Sequence, residues 1–166
     1  GMHLRRNTRL NCYNSVVAGW PIGLILDSEK GNTQKAATDG LLQLHRIVFA
    51  GTDLTGSDFN KVYKDELYDY KTKTTDPSKK SFSSMFFLLP ANGNKVVDQW
   101  VARSWQGIQS IIAASTSVGG ALQGSFAELQ SNNWFDKSAT FVGAFRDASD
   151  DWTAGWANFD PENTIY

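Results

Sequence analysis

The sequence predicts a mainly β protein with a helical insertion, on three observations. A strand-like segment is repeated near the N-terminus, the middle changes to helical periodicity, and the C-terminus is rich in aromatic residues. The chain has 166 residues, of which 41% are hydrophobic. This size suits one domain with a sizeable core. We divide that single domain, 1–166, into β coils (5–56), a helical insertion (57–106) and closing strands with an aromatic tail (107–166).

Two segments near the N-terminus, 10–19 and 42–51, align as copies of each other. Both begin with apolar residues at alternate positions, the period of a strand with one buried face. Both end in Ala-Gly, which suits a tight corner. Such repeats are typical of stacked coils in a parallel β-helix, where each coil buries its inner face against a neighbour. The alignment predicts that Val16 and Val48 pair in adjacent coils, and it matches Cys12 with Leu44.

Between and within the two copies, the N-terminal part contains one more predicted strand, a predicted loop and a single cysteine. The apolar run 22–27 predicts another strand, and the polar run 28–39 predicts a protruding loop. Cys12 is the only cysteine, which excludes an intramolecular disulfide. We interpret it as a small buried apolar residue.

The middle of the chain predicts helices. After Ser57 and Asp58, which can cap a helix start, apolar and aromatic residues recur at helical spacing, predicting a helix over 58–70. The members of this pattern are Phe59, Val62, Tyr63, Glu66, Leu67 and Tyr70. Asp76-Pro77 is a helix-start pattern, with a strand over 83–89 as the alternative. The face of that helix would carry Phe82, Met85, Phe86 and Leu89.

Further along, residues 96–105 repeat at helical spacing and predict another helix, although the state of 71–106, helix or strand, stays open. From Gly107 the pattern is irregular, with a helical turn expected at 126–129 and a strand at 140–145. With this many helices, a compact α+β domain without a β-helix is the alternative fold.

The two ends of the chain resemble a known group of proteins. The runs 134–137, 141–145 and 151–161, and the run 7–23, resemble the closing segment and later coils of large bacterial cell-surface proteins. These are secreted or lipid-anchored proteins, mostly of unassigned function. The resemblance implies a right-handed parallel β-helix, a tail that caps it, and a location outside the cell or in the cell envelope. The resemblance to this group identifies no catalytic residue in the chain.

The aromatic tail holds the candidate binding residues. Trp152, Trp156 and Phe159 could form a stacking platform for sugar rings, but we expect them to cover the open end of the β-helix. An acidic cluster lies beside them, formed by Asp147, Asp150, Asp151 and Asp160. Two of its carboxylates could act as a glycosidase pair or bind calcium, but we interpret the cluster as solvated turns.

No other pattern points to catalysis, a metal or a cofactor. His3 and His45 are far apart, with no zinc-site spacing, and no serine lies in Gly-x-Ser-x-Gly. We interpret a basic cluster as a solvated loop, with a polyanion site as the alternative; its members are Lys71, Lys73, Lys79 and Lys80. The net charge of −1 disfavours nucleic acid as a partner. No apolar run is long enough to span a bilayer.

These observations favour a non-catalytic structural, adhesion or glycan-contacting module, with carbohydrate as the expected partner. The alternative is a fragment of a polysaccharide lyase or glycosidase, since β-helices host such chemistry. An exposed coil at the N-terminal end could also promote weak self-association.

Overall fold

The computed structural model describes residues 1–98, 108–159 and 161–164. Over these residues the chain is mainly β, with a few short helices. The strands are β1 (Met2–Arg5), β2 (Asn11–Tyr13), β3 (Val16–Ala18), β4 (Ile22–Asp27), β5 (Gln43–His45), β6 (Val48–Ala50), β7 (Leu54–Ser57), β8 (Leu67–Asp69), β9 (Thr74–Asp76) and β10 (Lys95–Val97). The α-helices are α1 (Thr33–Thr38), α2 (Phe82–Phe87) and α3 (Ile108–Gly119), and 3-10 turns lie at Pro90–Asn92, Ala127–Leu129 and Pro161–Asn163.

Small ladders of parallel strands form the β part of the molecule. β4 lies between β1 and β7, β6 lies between β3 and β10, and β2 pairs with β5. Val16 pairs with Val48, and Cys12 pairs with Leu44. The register predicted by the repeat is therefore confirmed, and so is the strand Ile22–Asp27. A mainly β fold with parallel pairing is favoured over the compact α+β alternative.

The main hydrophobic core fills the space between these ladders. Its buried members come from β4, β5, β6 and the first two helices: Leu24, Leu26, Ala36, Ala37, Leu42, Leu44, Ile47, Phe49, Phe86 and Phe87. The side chain of Cys12 packs against this cluster, although the residue is only half-buried. The predicted burial of Cys12 is therefore only partial.

β6 is buried on both faces, because a second layer covers its outer side. Val48 and Ala50 point into a second cluster, where they meet Val118 of α3 and Val142 of the C-terminal segment. Since successive side chains of a strand point to opposite faces, the intervening Phe49 lies in the main core. The C-terminal third of the chain therefore packs against the side of the strand stack.

Helix α2 packs against strand β7 and contributes to the main core. Ser81 caps the helix, because its side chain accepts a hydrogen bond from the Ser84 backbone N–H at 3.1 Å. The rings of Phe87 and Phe49 stack with their centroids 3.9 Å apart. A Cβ on Gly56 would lie 2.7 Å from the Ser84 nitrogen, so glycine permits this close approach. Phe87 of α2 thus packs directly against Phe49 of the main core.

The helix predicted over 58–70 is wrong. Strands β8 and β9 form an antiparallel hairpin, in which Leu67 pairs with Asp76. The rings of Phe59 and Tyr68 stack, with centroids 4.9 Å apart. The helical spacing of the aromatic residues reflects ring contacts between the hairpin and the segment before it, rather than one face of a helix.

Asp58 has a role that its position before the predicted helix does not suggest. Its carboxylate is buried and accepts hydrogen bonds from the backbone N–H groups of Tyr68, Phe82 and Ser83, at 3.1, 2.9 and 2.9 Å. Two of these donors belong to the first turn of α2, whose N–H groups have no partner within the helix. Burial raises the pKa of Asp58. Asp58 therefore joins the hairpin to α2.

Two other predicted boundaries differ from the structure. The segment 28–39 contains α1 rather than being wholly a loop, because Thr33, Ala36 and Ala37 pack inward. A helix does follow Asp76-Pro77, but it begins only at Phe82 and replaces the alternative strand over 83–89.

The predicted face of α2 is also partly wrong. Met85 and Leu89 are exposed, whereas Phe86 and Phe87 are buried. The stacking of Phe87 on Phe49 rotates the helix away from the predicted face.

The C-terminal half departs most from the predictions. Residues 95–97 form strand β10 instead of starting a helix, and the rest of that predicted helix lies outside the described residues apart from Asp98. α3 occupies a stretch predicted to be irregular, while 140–145 forms bends rather than a strand. The helical turn expected at 126–129 is confirmed. A Cβ on Gly119 would lie 2.0 Å from the Val142 carbonyl oxygen, so α3 and the following segment meet through a glycine.

Candidate aromatic binding site

The C-terminal segment places two indole rings side by side on the surface. Trp152 is 52% exposed and Trp156 is 68% exposed. Their ring centroids lie 5.5 Å apart, with the planes inclined by 34°. Phe145 is buried, and its centroid lies 6.0 Å from that of Trp152. We call this group of Phe145, Trp152 and Trp156 the aromatic shelf.

Hydrogen bonds within the segment fix the two indoles. Trp152 Nε1 donates to the Ala144 carbonyl at 2.8 Å, and Trp156 Nε1 donates to the Trp152 carbonyl at 2.9 Å. Both ring N–H groups are therefore satisfied internally, as is usual for indoles with a defined orientation. The shelf offers ring surfaces to a ligand, and any polar contact has to come from neighbouring side chains.

The prediction that the tail rings cover the end of the strand stack is wrong. Both tryptophans are more than half exposed, and Phe159 is only half-buried. The segment that leads to them lies against the side of the stack, because the Gly143 N–H donates to the Asn14 carbonyl at 2.8 Å. Helix α2, rather than the aromatic tail, supplies Phe86 and Phe87 to the main core.

The acidic residues beside the shelf form local turns, as predicted. Asp147 Oδ1 accepts hydrogen bonds from the backbone N–H and hydroxyl of Ser149, at 2.9 and 2.6 Å. Asp151 Oδ1 does the same with Thr153, at 3.2 and 2.6 Å. The hydrogen bonds from Ser149 lower the pKa of Asp147, so its carboxylate stays ionised. In both residues, the second carboxylate oxygen is not used by the turn.

Asp150 closes a third turn in the same segment. Its Oδ2 accepts a hydrogen bond from the Arg146 backbone N–H at 2.9 Å. The Arg146 guanidinium lies over the Phe141 ring, 5.9 Å from its centroid. Asp160, the fourth member of the predicted cluster, lies outside the described residues.

A polar clamp, which the sequence did not reveal, holds the C-terminal segment to the strand stack. Arg46 binds Glu128 through two hydrogen bonds of 2.7 Å each. His45 stacks on Tyr13, with centroids 5.6 Å apart and planes 9° from parallel, and its Nδ1 lies 3.7 Å from Glu128 Oε1. We call Asn14, His45, Arg46 and Glu128 the clamp.

Electrostatics in the clamp follow from this geometry. The Arg46 hydrogen bonds lower the pKa of Glu128, because they favour its ionised form. Burial lowers the pKa of His45, although Glu128 acts in the opposite direction. Arg46 therefore neutralises Glu128, and both carboxylate oxygens are occupied by its guanidinium.

Asn14 connects the clamp to the aromatic shelf. Its Oδ1 accepts hydrogen bonds from Arg46 Nε at 2.9 Å and from the Ser125 N–H at 3.1 Å. Its carbonyl accepts from Gly143, two residues before Phe145 of the shelf. Asn14 and Arg46 both have positive φ, 48° and 54°, at matching positions of the two repeated segments. Asparagine tolerates this conformation, which is a sequence signal for a corner.

The other candidate residues are not brought together with the shelf. The four lysines of the basic cluster are exposed along the β8–β9 hairpin, where Lys79 forms an ion pair with Asp76 at 3.3 Å. His3 lies 3.4 Å from the buried carboxylate of Asp27. Among the described residues, no group of three or more His, Cys, Asp or Glu side chains is placed to hold a metal ion. Within the same residues, no helix is long and apolar enough to cross a membrane.

A groove of about 530 Å³ lies on the outer side of β1, β4 and β7. Its walls are largely apolar and include Ile22, Ile25 and Leu54, and its groups that can carry charge are the Gly1 ammonium, His3, Asp53 and Tyr63. A catalytic groove for acidic polysaccharides is expected to carry clustered charges. The groove described here has largely apolar walls instead.

The fold and the site define a mainly β protein with an exposed pair of tryptophans on one side of its parallel strands. Comparison with protein families, with curated proteins and with solved structures finds no match for this chain.

Proposed function

We propose that this chain is a non-catalytic, glycan-contacting module of a bacterial cell-surface protein. The observation that carries this proposal is the exposure of Trp152 and Trp156 as neighbouring rings held in fixed orientations. Ordered aromatic rings expose apolar area at low entropic cost, which suits contact with the apolar face of a sugar ring.

We further propose that the parallel ladders are coils of a short right-handed β-helix. Two observations support this proposal. The same number of residues separates Val16 from its partner Val48 and Cys12 from its partner Leu44. In addition, the strands of all three ladders pair in parallel. The resemblance of both chain ends to secreted or lipid-anchored surface proteins supports a location outside the cell or in its envelope.

Glycan binding is tested with the double variant Trp152→Ala/Trp156→Ala. A glycan array identifies ligands for the unchanged protein, and calorimetry then compares the affinities. Loss of one stacked ring lowers affinity by about 1–2 kcal/mol, so we expect the double variant to lose measurable binding. Trp20→Ala is the matched control, because Trp20 is 56% exposed but lies at a strand corner outside the shelf.

The result that would overturn this proposal is equally specific. No ligand on the array, or equal binding by the double variant and the unchanged protein, would leave the shelf without this role. Circular dichroism of each variant establishes that the fold is retained, which matters because Trp152 also donates to Ala144.

The alternative of a polysaccharide lyase or glycosidase fragment has no comparable support among the described residues. The groove near β1 is largely apolar, and the Glu128 oxygens are both bound by Arg46. Release of reducing ends from a panel of neutral and acidic polysaccharides would revive this alternative.

We also propose that the chain associates weakly with a second copy through the edge of β1. β1 pairs with β4 on one side and has no strand on its other side among the described residues. An open strand edge presents unpaired N–H and C=O groups, which favour pairing with another chain. Light scattering over a range of concentrations should show a rising mean mass; a constant monomer mass would refute the association.

A further inference from the structure

We propose that the aromatic shelf takes glycans that carry an ammonium group, such as oligomers of glucosamine, and excludes glycans made of uronic acids. This inference rests on the proposed glycan-binding function and specifies the ligand of the same site. Two independent properties of the shelf lead to it, the ring surfaces and the charge around them.

The first property is the way the two indoles are presented. Because both Nε1 groups donate to backbone carbonyls, the rings offer their faces rather than hydrogen-bond donors. The face of an indole carries negative charge density and attracts cations, tryptophan most strongly of the aromatic residues. Two inclined rings with centroids 5.5 Å apart can contact one ligand together.

The second property is the balance of charge in the segment that carries the rings. Between residues 138 and 159 the ionisable side chains are one arginine and three aspartates: Arg146, Asp147, Asp150 and Asp151. The Arg146 guanidinium is held over Phe141, and its own backbone N–H binds Asp150. Arg146 therefore forms no ion pair with the aspartates of this segment among the described contacts.

The carboxylates of Asp147 and Asp151 are only partly used by the turns. The Ser149 hydrogen bonds involve Oδ1 of Asp147, and the Thr153 hydrogen bonds involve Oδ1 of Asp151. Asp147 is exposed, and Asp151 directly precedes Trp152 of the shelf. The remaining oxygens can accept hydrogen bonds from sugar hydroxyls or from an ammonium group, whereas they repel a uronate.

The charge around the shelf contrasts with the basic hairpin. The lysines of the predicted polyanion site lie along β8 and β9, in another part of the chain, and no contact of theirs with the shelf is described. Attraction of acidic polysaccharides to those lysines would therefore act at a different surface. The shelf offers ring faces, and Asp147 and Asp151 lie beside its residues in the same segment, a combination that favours a cationic sugar.

The experiment compares three oligosaccharides of equal length, made of glucosamine, N-acetylglucosamine or galacturonic acid. Titration calorimetry at about pH 5 keeps the glucosamine ammonium charged, because neighbouring ring oxygens and ammonium groups make it less basic than a peptide amine. We expect the glucosamine oligomer to bind about fivefold more tightly than the acetylated one at low salt. Added salt should reduce that ratio, and the uronate should not bind.

Matched variants assign the preference to the carboxylates. Asp147→Asn and Asp151→Asn keep an Oδ1 that can accept the turn hydrogen bonds while removing the charge. We expect the combined variant to bind both amino sugar oligomers equally, with affinity for the acetylated one unchanged. Asp76→Asn is the control, because Asp76 forms the same turn with Ser78 in the hairpin.

The outcomes separate this inference from the proposed function. If the acetylated oligomer binds and the glucosamine oligomer binds no better, the ammonium preference is wrong and glycan binding stands. Tight binding of the uronate that is lost in Trp152→Ala/Trp156→Ala would also refute the preference while leaving glycan contact in place. If none of the three binds and the array is blank, both proposals fail.

Discussion

Arg46 and Glu128 join a corner of the strand stack to the C-terminal segment through two parallel hydrogen bonds of 2.7 Å. The Arg46 side chain is 12% exposed and that of Glu128 is 32% exposed, so water screens this pair less than a fully solvated one. A two-point contact between guanidinium and carboxylate fixes orientation as well as distance. The position of the segment that leads to the aromatic shelf thus depends on this pair.

We expect the coupling free energy between Arg46 and Glu128 to be about 1–2 kcal/mol. The measurement is a double-mutant cycle with Arg46→Ala and Glu128→Ala, using urea unfolding. The exposed pair of Lys35 and Asp39 is the control and should give about 0.3–0.5 kcal/mol. Equal coupling in the two cycles would show that the clamp is no stronger than an ordinary surface pair.

Asp58→Ala should be among the most destabilising single changes in the chain. It leaves the buried N–H groups of Tyr68, Phe82 and Ser83 without an acceptor, which costs about 2–4 kcal/mol of unfolding free energy. Thermal and urea unfolding measure this loss. Asp53→Ala removes an exposed carboxylate and should change stability by less than about 0.5 kcal/mol. Similar losses in both variants would contradict the role of Asp58.

Stability should fall as the pH drops from about 7 through the folded-state pKa of His45. Burial lowers that pKa below the unfolded value of about 6.5, so the folded state prefers neutral imidazole. The stabilising contribution is complete above the unfolded pKa and is lost at lower pH. His45→Phe keeps an aromatic partner for Tyr13 and should flatten this part of the curve. An unchanged slope would assign the effect to another group.

Glu128 should add a second loss of stability at more acidic pH. Arg46 lowers the pKa of Glu128 below its unfolded value of about 4.3, so its contribution is complete above that value. It disappears as the pH falls through the folded-state pKa. Glu128→Gln should reduce the loss in this window and enlarge the His45 effect, because Glu128 no longer raises the His45 pKa. The measurement is urea unfolding at a series of pH values.

Gly119→Ala should loosen the contact between α3 and the C-terminal segment. The added Cβ would lie 2.0 Å from the Val142 carbonyl oxygen, so the backbone has to move, at a cost of about 1–3 kcal/mol. The measurement is unfolding free energy together with tryptophan fluorescence. Gly120→Ala is the neighbouring control, because its nearest atom is the Thr116 oxygen at 3.3 Å. A larger loss in the control would refute the close contact.

The strand pairing could be predicted because a local repeat in the sequence indicates which residues pair. Val16 and Val48 occupy equivalent places in two similar segments, and parallel ladders stack equivalent places. The corner asparagine, Asn14, also has a local signal, since few residues accept positive φ. These features depend on residues close together in sequence or on a visible repeat.

The failed predictions involve contacts between distant parts of the chain. Asp58 resembles a helix cap, but its donors lie in β8 and α2. The aromatic spacing of 58–70 imitates a helix because Phe59, before the hairpin, packs against Tyr68 and Tyr70. The clamp was missed for the same reason, since Glu128 is distant from Arg46 in sequence and carries no motif.

The two terminal strands of the β1-β4-β7 ladder have different neighbours. At β7 the helix α2 lies over the last strand, with Ser84 packed against Gly56. At β1 the outer edge has no strand neighbour among the described residues. Repeats grafted by protein engineering should therefore be accommodated more easily before β1 than after β7, where they would have to displace α2 from its contact with Gly56.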